Sequence, residues 1–228
     1  FCATVGGLDS SKPILLYVAS SPYICPDELP FFIQWFARLR QDSDPVLSTC
    51  NVLIRPHPLH AAQWAKLKTV PTGYGRLAIW PRKGEMPVVA GQKQLYFDTL
   101  WHADALVGIN TSAFLEAGII GRRTFTFQND FFKSTQEGTL HYSYVANSGL
   151  LKVASNIAEH MDDLRQQLAE PLLKDRRHQF TFVADFLRPN GISQRATPYV
   201  VAAIEKIATS KTVPQRMSRL AALWRMLV

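Results

Sequence analysis

Short apolar runs alternate along the chain with segments in which apolar residues recur every three or four positions. The run 14–19 ends at Ser20 and Ser21, a pattern typical of a buried strand that leads into a loop. The next segment, 28–40, has apolar residues at helical spacing, and Pro30 suits its first turn. The pattern therefore predicts a strand followed by a helix.

The same alternation continues through the first two thirds of the chain. The predicted strands are 14–19, 51–54, 77–80, 105–109 and 123–127. The predicted helices are 28–40 with Asp27 as N-cap, 59–67, 94–103, and 110–120 ending at Gly121. Beyond residue 150 the pattern is mostly helical. Since strands separated by helices pair in parallel, the sequence predicts an α/β fold: a Rossmann-like three-layer domain with a mostly parallel sheet, followed by C-terminal helices.

The domain limits are predicted from the same pattern. Residues 1–13 are expected to be a linker or the remnant of a preceding region. Residues 14–190 would form the Rossmann-like domain, and residues 191–228 the C-terminal helices. The chain begins with Phe1 rather than methionine, and no secretory signal follows it. We therefore expect the chain to be part of a longer protein.

The turn after the fourth predicted strand carries polar side chains that suit an anion. Asn110, Thr111 and Ser112 would open a helix, where hydroxyl groups, free N–H groups and the helix dipole favour a phosphate or diphosphate. Glu116 lies four residues after Ser112, on the same helix face, where it could accept hydrogen bonds from ribose hydroxyls. The same residue types are also typical of ordinary helix capping. Spacing alone leaves both interpretations open.

Three other loops would meet the same edge of the sheet, because ligands bind outside the carboxyl ends of parallel strands. Arg55 and His57 alternate with prolines after the second strand, so they are either rigidly presented phosphate and leaving-group contacts or part of a stiff surface loop. Ser20 and Ser21 could donate hydroxyls or simply form a turn. Gln136 lies in a polar loop after the fifth strand. Phe131 and Phe132, just before Gln136, would wall that pocket or pack in the core.

Composition excludes several classes of protein. The chain has 228 residues, of which 47% are hydrophobic and 19% are charged, as in an ordinary globular domain rather than a disordered one. No run of about 18 uncharged apolar residues predicts a membrane-spanning helix. The cysteines Cys2, Cys25 and Cys50 are too few for a disulfide scaffold and favour, weakly, a reducing compartment. No glycine-rich dinucleotide motif, P-loop, zinc-ligand spacing or nucleophile elbow occurs.

The net charge of +7 lies entirely in the last quarter of the chain. Residues 171–228 contain ten basic and three acidic residues, whereas the first 170 residues sum to zero. Nucleic-acid binding by the whole domain is therefore disfavoured. The pattern predicts a basic amphipathic helix over 214–228, which could bind an anionic membrane or dock onto protein.

Taken together, the segments 54–58, 103–113 and 116–122 resemble the nucleotide-sugar-binding half of GT-B glycosyltransferases. The likeness extends over about 14–187 and is greatest to bacterial enzymes of capsule, teichoic-acid-like or surface-glycan synthesis. It implies that the chain binds a nucleotide sugar in the bacterial cytoplasm or at the inner face of the membrane. It also implies that an N-terminal acceptor domain of the same protein is missing here, so that this half alone would not transfer efficiently.

The resemblance further implies a role for each matched position. Thr111 and Ser112 would contact the diphosphate, Glu116 the ribose, and Arg55 and His57 the phosphates or the leaving group. Asn110, Ser20, Ser21 and Gln136 complete the expected binding residues. Trp80 would lie beside the base. No metal is expected, since cationic groups and a helix N-terminus can stabilise the departing nucleoside diphosphate.

Two other functions remain open from the sequence. A hydrolysing sugar-nucleotide 2-epimerase would use the same scaffold, but the paired carboxylates that its chemistry needs are not evident. A non-catalytic module that binds a nucleotide or a partner is the other alternative.

Overall fold

The computed structural model describes residues 1–67, 76–169 and 177–210. Six parallel strands form one sheet in the order β3-β2-β1-β4-β5-β6. The strands are β1 (Ile14–Val18), β2 (Asn51–Arg55), β3 (Leu77–Ile79), β4 (Ala105–Val107), β5 (Thr124–Phe127) and β6 (Leu151–Ala154). The predicted α/β class with a parallel sheet is confirmed.

Helices connect the strands. The α-helices are α1 (Leu29–Arg40), α2 (Pro45–Thr49), α3 (Ala90–Trp101), α4 (Ala113–Ile119), α5 (Leu140–Ala146), α6 (Ile157–Ala169), α7 (Arg177–Phe182) and α8 (Thr197–Thr209). Two 3₁₀ segments, Pro58–Lys66 and Asp130–Phe132, follow β2 and β5, and a π-helical turn, Val183–Leu187, follows α7.

Alternate side chains of β1 point into two hydrophobic cores, because successive residues of a strand face opposite sides of the sheet. Leu15 and Tyr17 pack with Trp35 of α1 and Leu164 of α6. On the other side, Leu16 packs with residues of α3 and α4. All five residues of β1 are buried, as expected for a central strand covered on both faces. The three-layer arrangement thus follows directly from the continuous apolar run in the sequence.

The strand order places a topological switch between β1 and β4. From β1 the chain proceeds outward through β2 to β3, then returns to β4 on the other side of β1 and continues to β5 and β6. At such a point the two neighbouring loops diverge to opposite faces of the sheet and leave a crevice at its carboxyl edge. A ligand site is therefore expected at the loops after β1 and β4.

Several elements differ from the sequence prediction. The region beyond residue 150 was predicted to be mostly helical, and no strand was placed there, but Leu151–Ala154 forms the sixth strand. The segment 58–66 is a 3₁₀ helix rather than an α-helix. The helix expected at 94–103 begins four residues earlier, at Ala90. Glu28 rather than Asp27 is the N-cap residue of α1, and its side chain makes no capping hydrogen bond.

The chain divides into two compact units, Phe1–Leu187 and a second that begins at Arg188. These limits differ from the predicted ones at 13/14 and 190/191. In the first unit, Val5 and Leu8 are buried in the core with β1, so the opening residues are part of that unit. In the second unit, α8 is exposed along its whole length. The predicted amphipathic helix 214–228 lies outside the described residues, and among those described no helix is both long and apolar enough to cross a bilayer.

Candidate functional site

The carboxyl ends of β1 and β4 lie close together at the switch point. Leu15, Leu16 and Tyr17 pair with Ala105, Leu106 and Val107. Just beyond this ladder, a Cβ atom placed on Gly108 would come within 2.9 Å of the Val18 carbonyl oxygen. Only glycine permits so close an approach of the two backbones. The loops after β1 and β4 therefore leave the sheet side by side.

A buried arginine at the end of β2 contacts helix α3, which in turn contacts α4. Arg55 is 7% exposed, and its guanidinium carbon lies 4.4 Å from the centre of the Tyr96 ring. The Tyr96 hydroxyl in turn donates a hydrogen bond to Oε2 of Glu116. The structure thus brings together Arg55 and Glu116, two residues selected from separate sequence motifs, through a tyrosine that the sequence analysis did not select.

Burial dominates the electrostatics of this cluster. Desolvation lowers the pKa of Arg55, while Tyr96 and Glu116 oppose that change. Burial, followed by the neighbouring Glu116, raises the pKa of Tyr96, so the phenol stays protonated and can donate. Within the described residues Arg55 makes no ion pair. A buried cation without a direct anionic partner is suited to bind a phosphate.

A cavity of about 420 Å³ opens beside Arg55. Its other lining residues combine an aromatic wall with cationic and polar groups, namely Trp80, Pro81, Arg82, Lys83, Glu85, Gln92 and Leu95. Trp80 is half-buried, and Arg82 and Lys83 are exposed. A flat aromatic side chain next to several cations can hold a heterocyclic base together with its phosphates.

In the turn between β4 and α4, some side chains hydrogen-bond within the described part of the protein and one stays free. Nδ2 of Asn110 donates to the Thr135 carbonyl oxygen at 3.0 Å, so the predicted ligand residue Asn110 anchors the loop after β5. The Thr111 hydroxyl oxygen accepts a hydrogen bond from the Ala113 N–H at 3.3 Å. Ser112 is exposed, and its side chain makes no capping hydrogen bond to the helix. Ser112 therefore remains available to an outside group.

Ser20 does not face the crevice as a free hydroxyl donor. It is fully buried, and its N–H and hydroxyl both donate to the Glu28 carboxylate, at 2.8 and 3.4 Å. The Tyr17 hydroxyl also donates to Glu28, at 2.8 Å. Burial raises the pKa of Glu28 to about 7, although these hydrogen bonds oppose that rise. The predicted role of Ser20 as a ligand contact is thus replaced by a structural one, whereas Ser21 is half-buried.

Gln136 is likewise a structural residue in this fold. Its side chain is completely buried. Nε2 donates to the Ile109 carbonyl oxygen at 2.9 Å and to the Thr126 hydroxyl at 3.0 Å. The predicted ligand contact is therefore corrected: Gln136 ties the loop after β5 to the ends of β4 and β5.

His57 is placed to donate a hydrogen bond at the carboxyl edge. Its Nδ1 accepts from the Leu59 N–H at 3.2 Å, which puts the ring proton of a neutral imidazole on Nε2. Desolvation and the neighbouring His60 lower the pKa of His57, so the neutral ring predominates at neutral pH. The end of β2 and the loop after it thus present one fixed cation, Arg55, and one neutral hydrogen-bond donor, His57.

Comparison with known proteins identifies the fold. No family model matches the chain. No curated protein matches its sequence. Among solved structures, a variant of the wall teichoic acid polymerase TagF soaked with CDPG for 15 minutes matches 90% of this chain and 46% of that chain, with a TM-score of 0.55 and 16% identity. Another TagF structure matches the same shares with a TM-score of 0.53 and 15% identity.

A putative UDP-N-acetylglucosamine 2-epimerase from Listeria monocytogenes also matches, over 92% of this chain and 49% of that one at 15% identity, but its TM-score of 0.48 is too low to support an argument. The present chain spans less than half the length of the TagF chains. The TM-scores of 0.53 and 0.55 show that the chain shares a fold with these structures, which confirms the Rossmann-like α/β class.

Proposed function

We propose that this chain is the donor-binding half of a GT-B-type glycosyltransferase of bacterial surface-polysaccharide synthesis, acting in the cytoplasm. It would bind a nucleotide-activated sugar whose transferable group passes to a glycan or lipid-linked acceptor. The observation that carries the proposal is Arg55, a buried cation without an ion-pair partner in the described part of the chain, beside a cavity walled by Trp80. The phosphates of a nucleoside diphosphate would pair with Arg55, and its flat base would lie against Trp80.

Each side chain of the site then has a distinct task. The Arg55 fork would bind a phosphate oxygen, and Ser112 and Thr111 would donate to the diphosphate at the end of β4. Glu116 would accept from the ribose, with Tyr96 fixing its carboxylate. The Nε2–H of neutral His57 would donate a hydrogen bond to the departing phosphate. Positive and dipolar groups held in place before the reaction can stabilise that leaving group without a metal ion.

The share of the fold present here limits what the chain would do alone. It covers 46% of the length of the TagF chains, so we propose that the acceptor site and the base that activates the acceptor belong to another domain of the same protein. This chain by itself would bind the donor and transfer its group slowly or not at all.

A thermal-shift screen of the full chain with UDP, GDP, CDP, CMP, their sugars and CDPG tests the proposal. A ligand at one hundred times its Kd stabilises a fold by about 2.7 kcal/mol, which raises the melting temperature by several degrees. Arg55→Gln should abolish the shift, and Ser112→Ala and Glu116→Ala should weaken it. Lys66→Gln removes an exposed cation of the 3₁₀ helix and should leave it unchanged. The proposal fails if no nucleotide shifts the wild type, or if all the variants respond alike.

A further inference from the structure

A second cavity, of about 510 Å³, lies at the carboxyl ends of β5 and β6. We call it the β5–β6 groove, and it shares no lining residue with the cavity beside Arg55. Residues of α1, including Trp35, line one side, and residues that follow β5 and β6, including Asn129 and Asn156, line the other. The nucleotide site proposed above does not use this groove.

Two asparagines of the groove are fixed by hydrogen bonds through their oxygen atoms. Oδ1 of Asn129 accepts from the Phe131 N–H at 2.9 Å. Oδ1 of Asn156 accepts from the N–H groups of Ala158 and Glu159, both at 3.0 Å. Neither NH₂ group has a hydrogen-bond acceptor among residues 1–67, 76–169 and 177–210. Asn129 is half-buried and Asn156 is exposed, so the groove presents two hydrogen-bond donors in fixed orientations that a ligand can reach in place of water.

The other residues of the groove supply an aromatic face, hydrogen-bond acceptors and a further donor. Phe131 is 88% exposed, so the face of its ring is open to a ligand that enters the groove. The carboxylates of Asp130 and Glu137 can accept hydrogen bonds from a ligand, and Lys133 can donate them. Donors, acceptors and an aromatic face together match a molecule that carries many hydroxyl groups on an apolar carbon frame.

We propose that the β5–β6 groove binds a polyhydroxylated carbon chain, a glycan or a polyol. Two strands, β1 and β4, separate β2 from β5 in the sheet, so three spacings of about 4.8 Å put the groove about 14 Å from the β2 edge. A hydroxylated group held there would lie across the switch point from Arg55. The inference rests on the proposed function only for its biological role, since that group would belong either to the donor or to the acceptor.

Saturation-transfer NMR on the full chain tests the inference, with N-acetylglucosamine, glucose and ribitol as probes. Asn129→Asp and Asn156→Asp keep the oxygen that caps the local backbone and replace the NH₂ donor with a carboxylate oxygen, so both should fold normally. Each should reduce the transferred signal several-fold, and Phe131→Ala should do the same. Asn190→Asp is the matched control, because this exposed residue carries the same charge change outside the groove, and it should retain the signal.

Competition with the nucleotide sugar that shifts the melting temperature identifies the source of the hydroxylated group. Loss of the probe signal would assign the groove to the transferred group of the donor, and persistence would assign it to the acceptor. Absence of saturation transfer in the wild type, or equal transfer in wild type and all three groove variants, overturns the inference. A chain that binds the probes but no nucleotide would instead refute the proposed function and leave the groove in place.

Discussion

Glu28 is a carboxyl group enclosed by the protein at the edge of the site. Its oxygens accept from Tyr17 and Ser20, while its own N–H donates to Oε1 of Gln63 in the 3₁₀ helix after β2 at 3.1 Å. Glu28 thus connects the loop after β1 with the 3₁₀ helix that follows Arg55 and His57 in the chain. Its protonation state should therefore affect both stability and the placement of two ligand loops.

The pKa of Glu28 is raised to about 7 from an unperturbed value of 4.5, so folding favours the protonated form. The resulting stabilisation, about 3 kcal/mol, is complete below pH 4.5 and is lost as the pH rises through 7. Urea unfolding of the wild type should show a decreasing free energy of unfolding between pH 5 and 8. Glu28→Gln cannot titrate and should flatten this slope, whereas Glu85→Gln, at an exposed position, should not. Identical slopes in the wild type and Glu28→Gln would contradict the prediction.

Sequence patterns predicted the positions of the loop residues better than their contacts. Arg55 and Ser112 could be placed at the sheet edge because an apolar run marks where each strand ends. Ser20 and Gln136 have the same polar character, yet they turn inward to satisfy buried groups. Tyr96 could not be recognised, because its partners are 41 and 20 residues away in sequence and only the fold brings them together.

At the scale of elements, the packing of α4 depends on a glycine inside the helix. A Cβ atom on Gly118 would lie 2.1 Å from Cδ1 of Leu150, and Leu150 is buried just before β6. The helix carrying Ser112 and Glu116 is therefore held against the sheet more closely than any other residue type would allow. Its position fixes where those two side chains lie at the carboxyl edge of the sheet.

Gly118→Ala should destabilise the fold by about 1–3 kcal/mol, because the added methyl group overpacks a buried contact. Chemical denaturation measures this loss directly. Gly91→Ala is the matched control in α3, where no atom lies within 4 Å of the added Cβ. That substitution should be neutral or stabilise by up to about 1 kcal/mol, through the higher helix propensity of alanine. A loss of stability at Gly91 equal to that at Gly118 would contradict the packing argument.

The elements missed by the sequence pattern are those with the weakest periodicity. β6 has four residues, and the exposed Lys152 interrupts its apolar positions, so the pattern did not separate it from a helical turn. The start of α3, at Ala90 and Gly91, has no strong helix-starting residue or apolar repeat. Each of the five predicted strands overlaps a strand of the sheet, since apolar runs of this kind favour a buried strand.

At the scale of the whole molecule, the first compact unit contains every strand found in the described residues, their hydrophobic cores, the cavity beside Arg55 and the β5–β6 groove. A chain that ends at Leu187 should therefore fold and should bind the same nucleotide as the full chain within about threefold. Circular dichroism melting and calorimetric titration measure the two properties. Loss of cooperative melting, or of nucleotide binding, in the shortened chain would show that residues after Leu187 complete the domain.

The position of β1 in the middle of the sheet has a consequence for how the protein emerges from the ribosome. Its first neighbour, β2, is synthesised soon afterwards, but the other neighbour, β4, begins 90 residues after the Leu15 to which Ala105 pairs. Until then one side of an entirely apolar strand stays open to wrong partners, and pairing over such separations is slow. A strand that is buried along its whole length in the finished protein is thus incompletely covered during much of its synthesis.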